Sequence, residues 1–305
     1  MKKPDTRDKL IHTYAGILLE HITGKFPSGP RTFGFEYEFL PQMPLDLSMM
    51  KRIYGFLSDN GFQKDGDCFR HESGMSITFE PGGQIEYNSA PLLPDDLEAF
   101  EMSLDIISRT NREIEGGLGI RYVPVDYIPG RINTPLCLDS ERYRSLHHRM
   151  SFSGKRGQEM MKASASIHLH VVVRSREELV PVFIKLCEMS MSDEFKMGGE
   201  RRDIWKNTDP VRCGLPYRSI DKHSTPSDLM KELVTVAVDA DILGENVPFW
   251  KPKDTGFDNF LYHLTTIFTD VRLNNKGPTL ELRTVDSMSE GAFRAVWEKF
   301  HQALK

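Results

Sequence analysis

Hydrophobic and polar residues alternate along several short stretches of the chain, with the period of two that is typical of β-strands. In residues 31–40, four aromatic residues alternate with Glu36 and Glu38 among others. The same period occurs in residues 75–79, 84–88, 164–173 and 279–285. The sequence Pro81-Gly82-Gly83 separates residues 75–79 from residues 84–88, so we predict that these two stretches form a β-hairpin.

Other segments repeat their hydrophobic residues every three or four positions, which is the period of an amphipathic helix. The predicted helices are 5–24, 47–61, 94–116, 177–191, 226–239, 258–268 and 290–304. Helices and strands alternate without regular strand–helix–strand spacing, and neither GxGxxG nor GxxxxGK[ST] occurs. We therefore expect an α+β fold with an antiparallel sheet. No linker rich in Pro, Gly or Ser divides the chain, so we expect one domain over residues 1–305.

Composition narrows the class of protein. The 305 residues are 39% hydrophobic and 27% charged, as in ordinary globular proteins. With 39 Lys+Arg and 44 Asp+Glu the net charge is −5, which disfavours bulk electrostatic binding to nucleic acid. No apolar run approaches the ~18 residues of a membrane span, and the polar start shows no secretory signal. The four cysteines are scattered, so we expect a reduced, cytoplasmic protein.

Acidic and histidine side chains share one face of several predicted strands. They are Glu36 with Glu38, Glu80 and Glu86 with Gln84, His168 with His170, and Glu281 with Arg283. Side chains two residues apart on a strand lie roughly 6–7 Å from each other. Carboxylates crowded on one concave face repel unless cations bind between them, and Mg²⁺ suits such oxygen ligands. A single pair also fits the solvated face of a sheet, but lysine is absent from these faces, which favours the metal site.

Four motifs follow one another along the chain. Residues 34–38 (GFEYE) fit GxExE, and 80–91 (EPGGQIEYNSAP) are close to EPGGQxE…SxAP. Residues 202–212 (RDIWKNTDPVR) resemble RxxIWxxTDxxR, while 263–268, 271–273 and 280–283 fit HLTTxFxxVRL…LExR. Together they resemble the plant and bacterial glutamate–cysteine ligases, a group of carboxylate–amine ligases, over residues 30–286.

The resemblance implies a glutamine-synthetase-like fold, in which the antiparallel sheet forms a cavity over two or three Mg²⁺ ions. It also implies a reaction in two steps. ATP phosphorylates the γ-carboxylate of glutamate, and an amine such as cysteine then attacks the acyl phosphate. Phosphorylation is needed because a carboxylate has no competent leaving group, and metal ions align the polyphosphate. The implied partners are therefore small molecules, with neither nucleic acid nor membrane involved.

The resemblance also assigns roles to individual residues. The implied metal ligands are Glu36, Glu38, Glu80, Glu86, His168 and Glu281. The implied nucleotide contacts are His168, His170 and Arg283. Arg283, Glu80 and Arg272 are the catalytic candidates, although Arg272 could instead brace its strand. The substrate-binding candidates are Arg202, Arg212, Gln84 and Trp205, and Trp205 also fits a role as pocket wall. His170 stands where the family segment has Asn or Asp, and a packing role is open for it.

Two departures from the family pattern leave the acceptor amine open. The chain stops about 20 residues after the LExR strand, so we expect a compact, C-terminally short member. Thr284 and Val285 also replace the family's Gly-Ala pair. The acceptor is therefore cysteine or another amine, the donor glutamate or a related acid, and the oligomeric state is not indicated.

Two other functional classes are open. One is a catalytically degenerate homologue that binds a nucleotide or amino acid and regulates a partner. Its retained cluster of like charges would then be costly without use. The other is a γ-glutamyl hydrolase or transferase, for which Cys213 is the one cysteine inside a motif block, without a visible histidine partner.

Overall fold

The computed structural model describes residues 6–215, 219–252 and 256–304. The helices in these ranges are α1 (Thr6–Thr23), α2 (Leu47–Asp59), α3 (Leu97–Leu118), α4 (Glu141–Met150), α5 (Gly157–Ala163), α6 (Arg176–Met189), α7 (Gly199–Lys206), α8 (Pro226–Asp239), α9 (Phe257–Leu264) and α10 (Glu290–Leu304). The strands are β1 (Phe33–Pro41), β2 (Phe62–Asp65), β3 (Cys68–His71), β4 (Ser76–Phe79), β5 (Ile85–Asn88), β6 (Tyr122–Val123), β7 (Ser166–Val172), β8 (Cys213–Gly214), β9 (Phe268–Thr269), β10 (Val271–Leu273) and β11 (Thr279–Asp286).

The main sheet is antiparallel throughout and has β1 near its centre. Its strand order is β10-β11-β7-β1-β5-β4-β3-β2, and β6 pairs with the end of β1. β1 is paired with β5 on one side and with β7 on the other. The short β8 and β9 form a separate parallel pair. The predicted α+β class with an antiparallel sheet is therefore confirmed.

Strand alternation gives β1 two chemically different faces. Phe33, Phe35 and Tyr37 are buried on the face that packs against α3 and α10. The ring of Phe35 lies 5.9 Å from that of Phe100 and 5.5 Å from that of Trp297. This face belongs to the large hydrophobic core, so the intervening residues of β1 point toward the other side of the sheet.

A second, smaller hydrophobic cluster is separate from this core. It is formed mainly by α4, α5 and α7 and consists of Leu146, Met150, Met160, Met161, Met197, Ile204 and Trp205.

A salt bridge fastens α7 to the end of β11, since Arg201 Nη1 lies 2.6 Å from a carboxylate oxygen of Asp286. The other Asp286 oxygen accepts a hydrogen bond from the backbone of Gly198 at 2.9 Å.

The long predicted helices agree with the structure to within a few residues, and α8 and α10 have the predicted bounds. The first residue of the predicted helix 5–24 lies outside the described residues. The predicted helix 258–268 was too long, because it ends at Leu264. The hydroxyls of Thr265 and Thr266 donate to backbone carbonyls of that last turn, and the chain then forms β9. The β2–β3 hairpin and helices α4, α5 and α7 were not predicted. Among the described residues, no helix combines the length and apolarity needed to cross a bilayer.

Replacing Phe35 by Ala removes an aromatic ring from the centre of the large core. We expect the free energy of unfolding to fall by about 3–5 kcal/mol, the usual cost of such a cavity. Urea denaturation measures this loss. The control is Leu97→Ala on α3, where the residue is 65% exposed and the expected change is within about 0.5 kcal/mol. Equal losses in the two variants would contradict the assigned packing.

Candidate active site

Strand register gathers the acidic residues on the face of the sheet opposite the large core. Glu38 on β1 pairs with Glu86 on β5, which in turn pairs with Thr78 on β4. Glu36, two residues earlier on β1, pairs with His168 on β7. His170 pairs with Glu281 on β11, which pairs with Arg272 on β10. Four strands, β1, β5, β7 and β11, thus deliver these acids and histidines to one surface.

The turn after β4 positions Glu80 and needs its glycines. A Cβ on Gly82 would lie 2.5 Å from the carbonyl oxygen of Lys162, and Gly83 has φ +83°. Gln84 closes this turn, because its Oε1 accepts from the Gly82 backbone at 2.9 Å. Its Nε2 donates to the carbonyls of Met161 at 3.2 Å and Ser164 at 2.9 Å. The Gln84 amide is therefore engaged within the protein, although Gln84 borders the cavity described below.

Glu36 lies between two imidazoles. One of its oxygens is hydrogen-bonded to Nδ1 of His168, and the other lies 3.4 Å from Nε2 of His170. Nε2 of His168 lies 2.9 Å from the hydroxyl of Ser166. The backbone N–H of Ser166 donates to Glu38 at 2.7 Å. These contacts fix the side chains of β1 and β7 in one network.

Glu281 organises two arginines at the next position along the face. One of its oxygens lies 2.7 Å from Nε of Arg272 and 3.2 Å from Nη1 of Arg283. The other oxygen accepts from Asn274 Nδ2 at 2.8 Å. The pairing of β11 with β7 shifts register between Leu282 and Val285, so Arg283 lies at a β-bulge. Bulges redirect side chains and are frequent beside active sites.

The network leaves two carboxyl groups with raised pKa values and two with lowered ones. Burial, together with the charges of Glu38 and Glu36, raises the pKa of Glu80 to about 8. Burial and the charges of Glu36, Glu80 and Glu38 raise the pKa of Glu86 well above its usual value. Burial acts in the same direction on Glu36, but His170 and His168 outweigh it and hold its pKa well below the ordinary value. Arg272 and His170 likewise outweigh burial and lower the pKa of Glu281.

The donor atoms of this cluster suit divalent cations. Ligand atoms of Glu36, Glu86 and His168 lie within 4.8 Å of one another, and so do those of Glu36, His170 and Glu281. Carboxylate oxygens with an imidazole are a common donor set for such ions. Glu80 and Glu86, whose pKa values are raised by burial and like-charge neighbours, would ionise more readily beside a bound cation. The residues present therefore fit a metal site.

A cavity of ≈ 220 Å³ opens above the cluster. Its charged lining is Glu36, Glu38, Glu80, Glu86, His168, Arg142, Arg272 and Arg283. Its apolar wall is Leu146, Met160, Met161, Trp205 and Phe268. A second cavity of ≈ 450 Å³ shares Glu36, Glu80 and Glu86 with the first and extends past Asn274 and Lys276. The two cavities meet at the acids, so molecules in both would reach the same carboxylates.

Arg142 and Tyr143 on α4 line both cavities and were missed from the sequence. Nη2 of Arg142 donates to the carbonyl of Thr265 at 3.2 Å, which holds the guanidinium at the cavity. The charge of Arg142 also acts to lower the pKa of Glu80. The sequence gives little indication of these two residues, because α4 is short and polar. The alternation that predicts the strands does not extend to this helix.

All four predicted substrate-binding side chains have polar groups engaged by other parts of the protein. Gln84 is the first, as described. Arg212 is fully buried, donates to Thr266 Oγ1 at 2.7 Å and borders neither cavity. Trp205 donates from Nε1 to the carbonyl of Phe268 at 3.2 Å and forms part of the cavity wall. Arg202 lies outside the lining of both cavities, with Nη1 2.9 Å from Asp270.

The cysteine nucleophile considered from the sequence is disfavoured. Burial raises the pKa of the Cys213 thiol to about 12, so the thiol stays protonated at neutral pH. Cys213 packs against the small hydrophobic cluster. All four cysteines fall within the described residues, and no disulfide joins them.

The surface built here, with acids, imidazoles and arginines around one cavity of an antiparallel sheet, is suited to metal ions and anionic substrates. Comparison with known proteins agrees with the resemblance seen in the motifs. The profile of Glutamate-cysteine ligase family 2 matches residues 32–190. The chain belongs to this family.

Plant proteins are among the relatives. Glutamate–cysteine ligase, chloroplastic, of Arabidopsis thaliana and that of Solanum lycopersicum are each 24% identical over 93% of this chain and 60% of their own length. Glutamate–cysteine ligase A, chloroplastic, of Oryza sativa subsp. indica is 22% identical over 94% of this chain and 64% of its own length. The chain thus spans about three fifths of the relatives that it matches.

The raised pKa of Glu80 makes a prediction about stability without metal. The carboxyl is protonated in the folded state up to about pH 8 but ionises near pH 4.5 when unfolded, so its contribution to stability falls as pH rises between these values. Glu80→Gln cannot ionise. In EDTA, we therefore expect the Tm of Glu80→Gln minus that of wild type to increase steadily from pH 5 to pH 8.

Differential scanning fluorimetry across this pH range measures the difference. The control is Glu72→Gln at an exposed position, for which we expect a flat difference. A Glu80→Gln difference that does not change with pH would show that Glu80 is not held protonated by the cluster.

Proposed function

We propose that this protein is an ATP- and divalent-metal-dependent carboxylate–amine ligase that forms a γ-glutamyl amide through an acyl phosphate. Membership of the family supports the reaction class. The observation that carries the proposal is the meeting of five carboxylates, two histidines and Arg272 and Arg283 on one face of the sheet. We also propose that the chain forms one domain with a glutamine-synthetase-like arrangement.

The arginines are suited to the phosphoryl group. Arg272 and Arg283 are both held by Glu281, which restricts the directions in which their guanidinium groups point. A fixed guanidinium offers several N–H donors to phosphate oxygens. Charge on those oxygens changes most during phosphoryl transfer, so a preorganised arginine contributes chiefly to the chemical step. We assign Arg283, which lines the cavity at the β-bulge, to this role.

Glu36, Glu86 and His168 would hold a divalent cation, and Glu38 and Glu80 lie in the same cavity lining. A bound ion would neutralise the polyphosphate and orient it. Ser166 fixes Glu38 and contacts His168, so it sets the orientation of both side chains. Such hydrogen bonds behind the ligands are a usual part of metal sites.

The glutamate donor and the acceptor amine would meet over the acids. Arg142 presents a guanidinium at the cavity and is our candidate for a carboxylate of glutamate. Trp205 and Met161 give the same cavity an apolar wall, which suits an acceptor with a small apolar or sulfur-containing side chain. Cysteine fits this description, and cysteine is the amine in the names of the matched relatives. Other amines with such side chains fit as well.

The expected cytoplasmic location stays a prediction, since the matched relatives are named chloroplastic.

A catalytically degenerate binding protein is the second candidate function. The engaged amide of Gln84 and the buried Arg212 are compatible with it, because they reduce the number of side chains left for the donor.

ADP release tests the proposed reaction. The protein is supplied with ATP, a divalent cation and glutamate, and is screened against a panel of amines that includes cysteine. We expect ADP only when glutamate and one amine are both present, and we expect EDTA to abolish it. Binding of ATP without ADP from any pair would support the degenerate homologue, while ADP release in EDTA would remove the metal from the mechanism.

Arg283→Ala should reduce kcat by about 100-fold or more, because it removes a donor that acts in the transition state. The apparent Kd for ATP should change by less than about threefold, since Arg272 and the acids remain. Steady-state kinetics and a nucleotide-binding titration separate the two effects. The control is Arg144→Ala on α4, where the arginine forms an exposed ion pair with Asp139, and this variant should match wild type. A loss confined to ATP affinity would contradict the role of Arg283 in phosphoryl transfer.

A further inference from the structure

The β-bulge in β11 adds one residue beside the arginine assigned to phosphoryl transfer. The pairs on either side of the bulge involve Leu169 and Ile167 of β7, which have only His168 between them. On β11, two residues, Arg283 and Thr284, lie between the same two pairs. Such an extra residue is not paired in the sheet, and it bends its strand and redirects the neighbouring side chains. The direction of Arg283 therefore depends on what holds this bulge.

The two residues of the bulge differ in their surroundings. Arg283 lines the cavity, whereas Thr284 is fully buried, where an unpaired hydroxyl would be costly. The hydroxyl of Thr284 donates at 2.7 Å to the carbonyl of Phe195, which lies between α6 and α7. The ring of Phe195 is buried in the large hydrophobic core, so its carbonyl is a fixed partner. Thr284 also stands where the resembled family pattern has glycine, which has no side chain to form this bond.

Two arginines of α7 support the backbone on both sides of the bulge. Nη1 of Arg201 donates to the carbonyl of Val285 at 3.2 Å, in addition to its salt bridge described above. Arg202 is paired with Asp270, and the backbone carbonyl of Asp270 accepts from the N–H of Arg283 at 2.9 Å. The hydroxyl bond to the α6–α7 connection lies between these two anchors along the chain. Helix α7 and the connection before it therefore hold the bulge at three successive residues.

We propose that Thr284 is a positioning residue for Arg283, and that its hydrogen bond to Phe195 sets the direction in which the Arg283 guanidinium enters the cavity. Without this bond the bulge can relax, because its extra residue has no partner in the sheet. A displacement of about 1 Å at a reacting group can cost roughly 100-fold in rate. This inference rests on the proposed role of Arg283 in phosphoryl transfer.

Crystal structures of variants test the placement of Arg283 without requiring turnover. Thr284→Val and Thr284→Ala both lack the hydroxyl, while Thr284→Ser keeps it. In the first two variants only, we expect the guanidinium of Arg283 to move by about 1 Å or more and to lose its 3.2 Å contact with Glu281. The control is Thr235→Val on α8, which removes a hydroxyl that donates to the carbonyl of Lys231 at 2.7 Å, outside the lining of both cavities. An unmoved guanidinium in the variants that lack the hydroxyl would overturn the inference.

Steady-state ADP release with glutamate and an amine tests the consequence for the chemical step. We expect kcat to fall about tenfold in Thr284→Val and to stay within about twofold of wild type in Thr284→Ser, with the Kd for ATP unchanged in both. In an Arg283→Ala background, adding Thr284→Val should cost less than about twofold, because the arginine that it positions is absent. An equal tenfold loss in both backgrounds would show a merely structural role and contradict the proposal. Absence of ADP release from wild type with every pair would reject the proposed function, while the crystal structures would still decide the placement of Arg283.

Discussion

Repulsion among carboxylates on one face of a sheet is the constraint around which this site is arranged. The protein offsets it for Glu36 with two imidazoles and for Glu281 with two arginines. For Glu80 and Glu86, burial and this repulsion raise the pKa, and Arg142 and Arg283 offset only part of the effect at Glu80. The face is therefore divided into a part that is neutralised within the protein and a part that gains most from a cation.

The fold keeps these charges close because the other face of the same strands is deeply buried. Phe35 and Tyr37 alternate with the acids of β1 and pack against α10. Moving β1 by one residue would bring Glu36 into that aromatic core, which is far more costly than holding it among other acids. Hydrophobic burial on one side thus supplies the free energy that holds like charges together on the other.

Much of this could be predicted from sequence where the relevant geometry is local. Alternation placed Glu36, His168 and Glu281 on a common face, because neighbouring side chains of a strand always point to opposite sides. Arg142 could not be found in this way, since its place at the cavity depends on how α4 packs. Arg212 was expected at the substrate, but its partners lie on segments distant in sequence, and only tertiary structure shows its burial.

The turn at Gly82 showed a similar limit. The motif could be recognised in the sequence, but the sequence does not show why glycine is required there. The requirement comes from the carbonyl oxygen of Lys162, which would lie 2.5 Å from a Cβ on Gly82. Helix α7 could not be predicted either, because it is short and is held by Asp286 at the far end of β11. In both cases a residue distant in sequence explains the local conformation, and no period along the chain records it.

The central position of β1 determines the order in which parts of the protein unfold. Its backbone is hydrogen-bonded to strands on both sides, so its amide protons exchange with water only when the sheet itself separates. The apolar wall around Trp205 belongs to the smaller cluster and can open at a lower free energy. Gentle heating should therefore disorder the wall first, and the arrangement of carboxylates and imidazoles on the sheet would outlast the cavity above it.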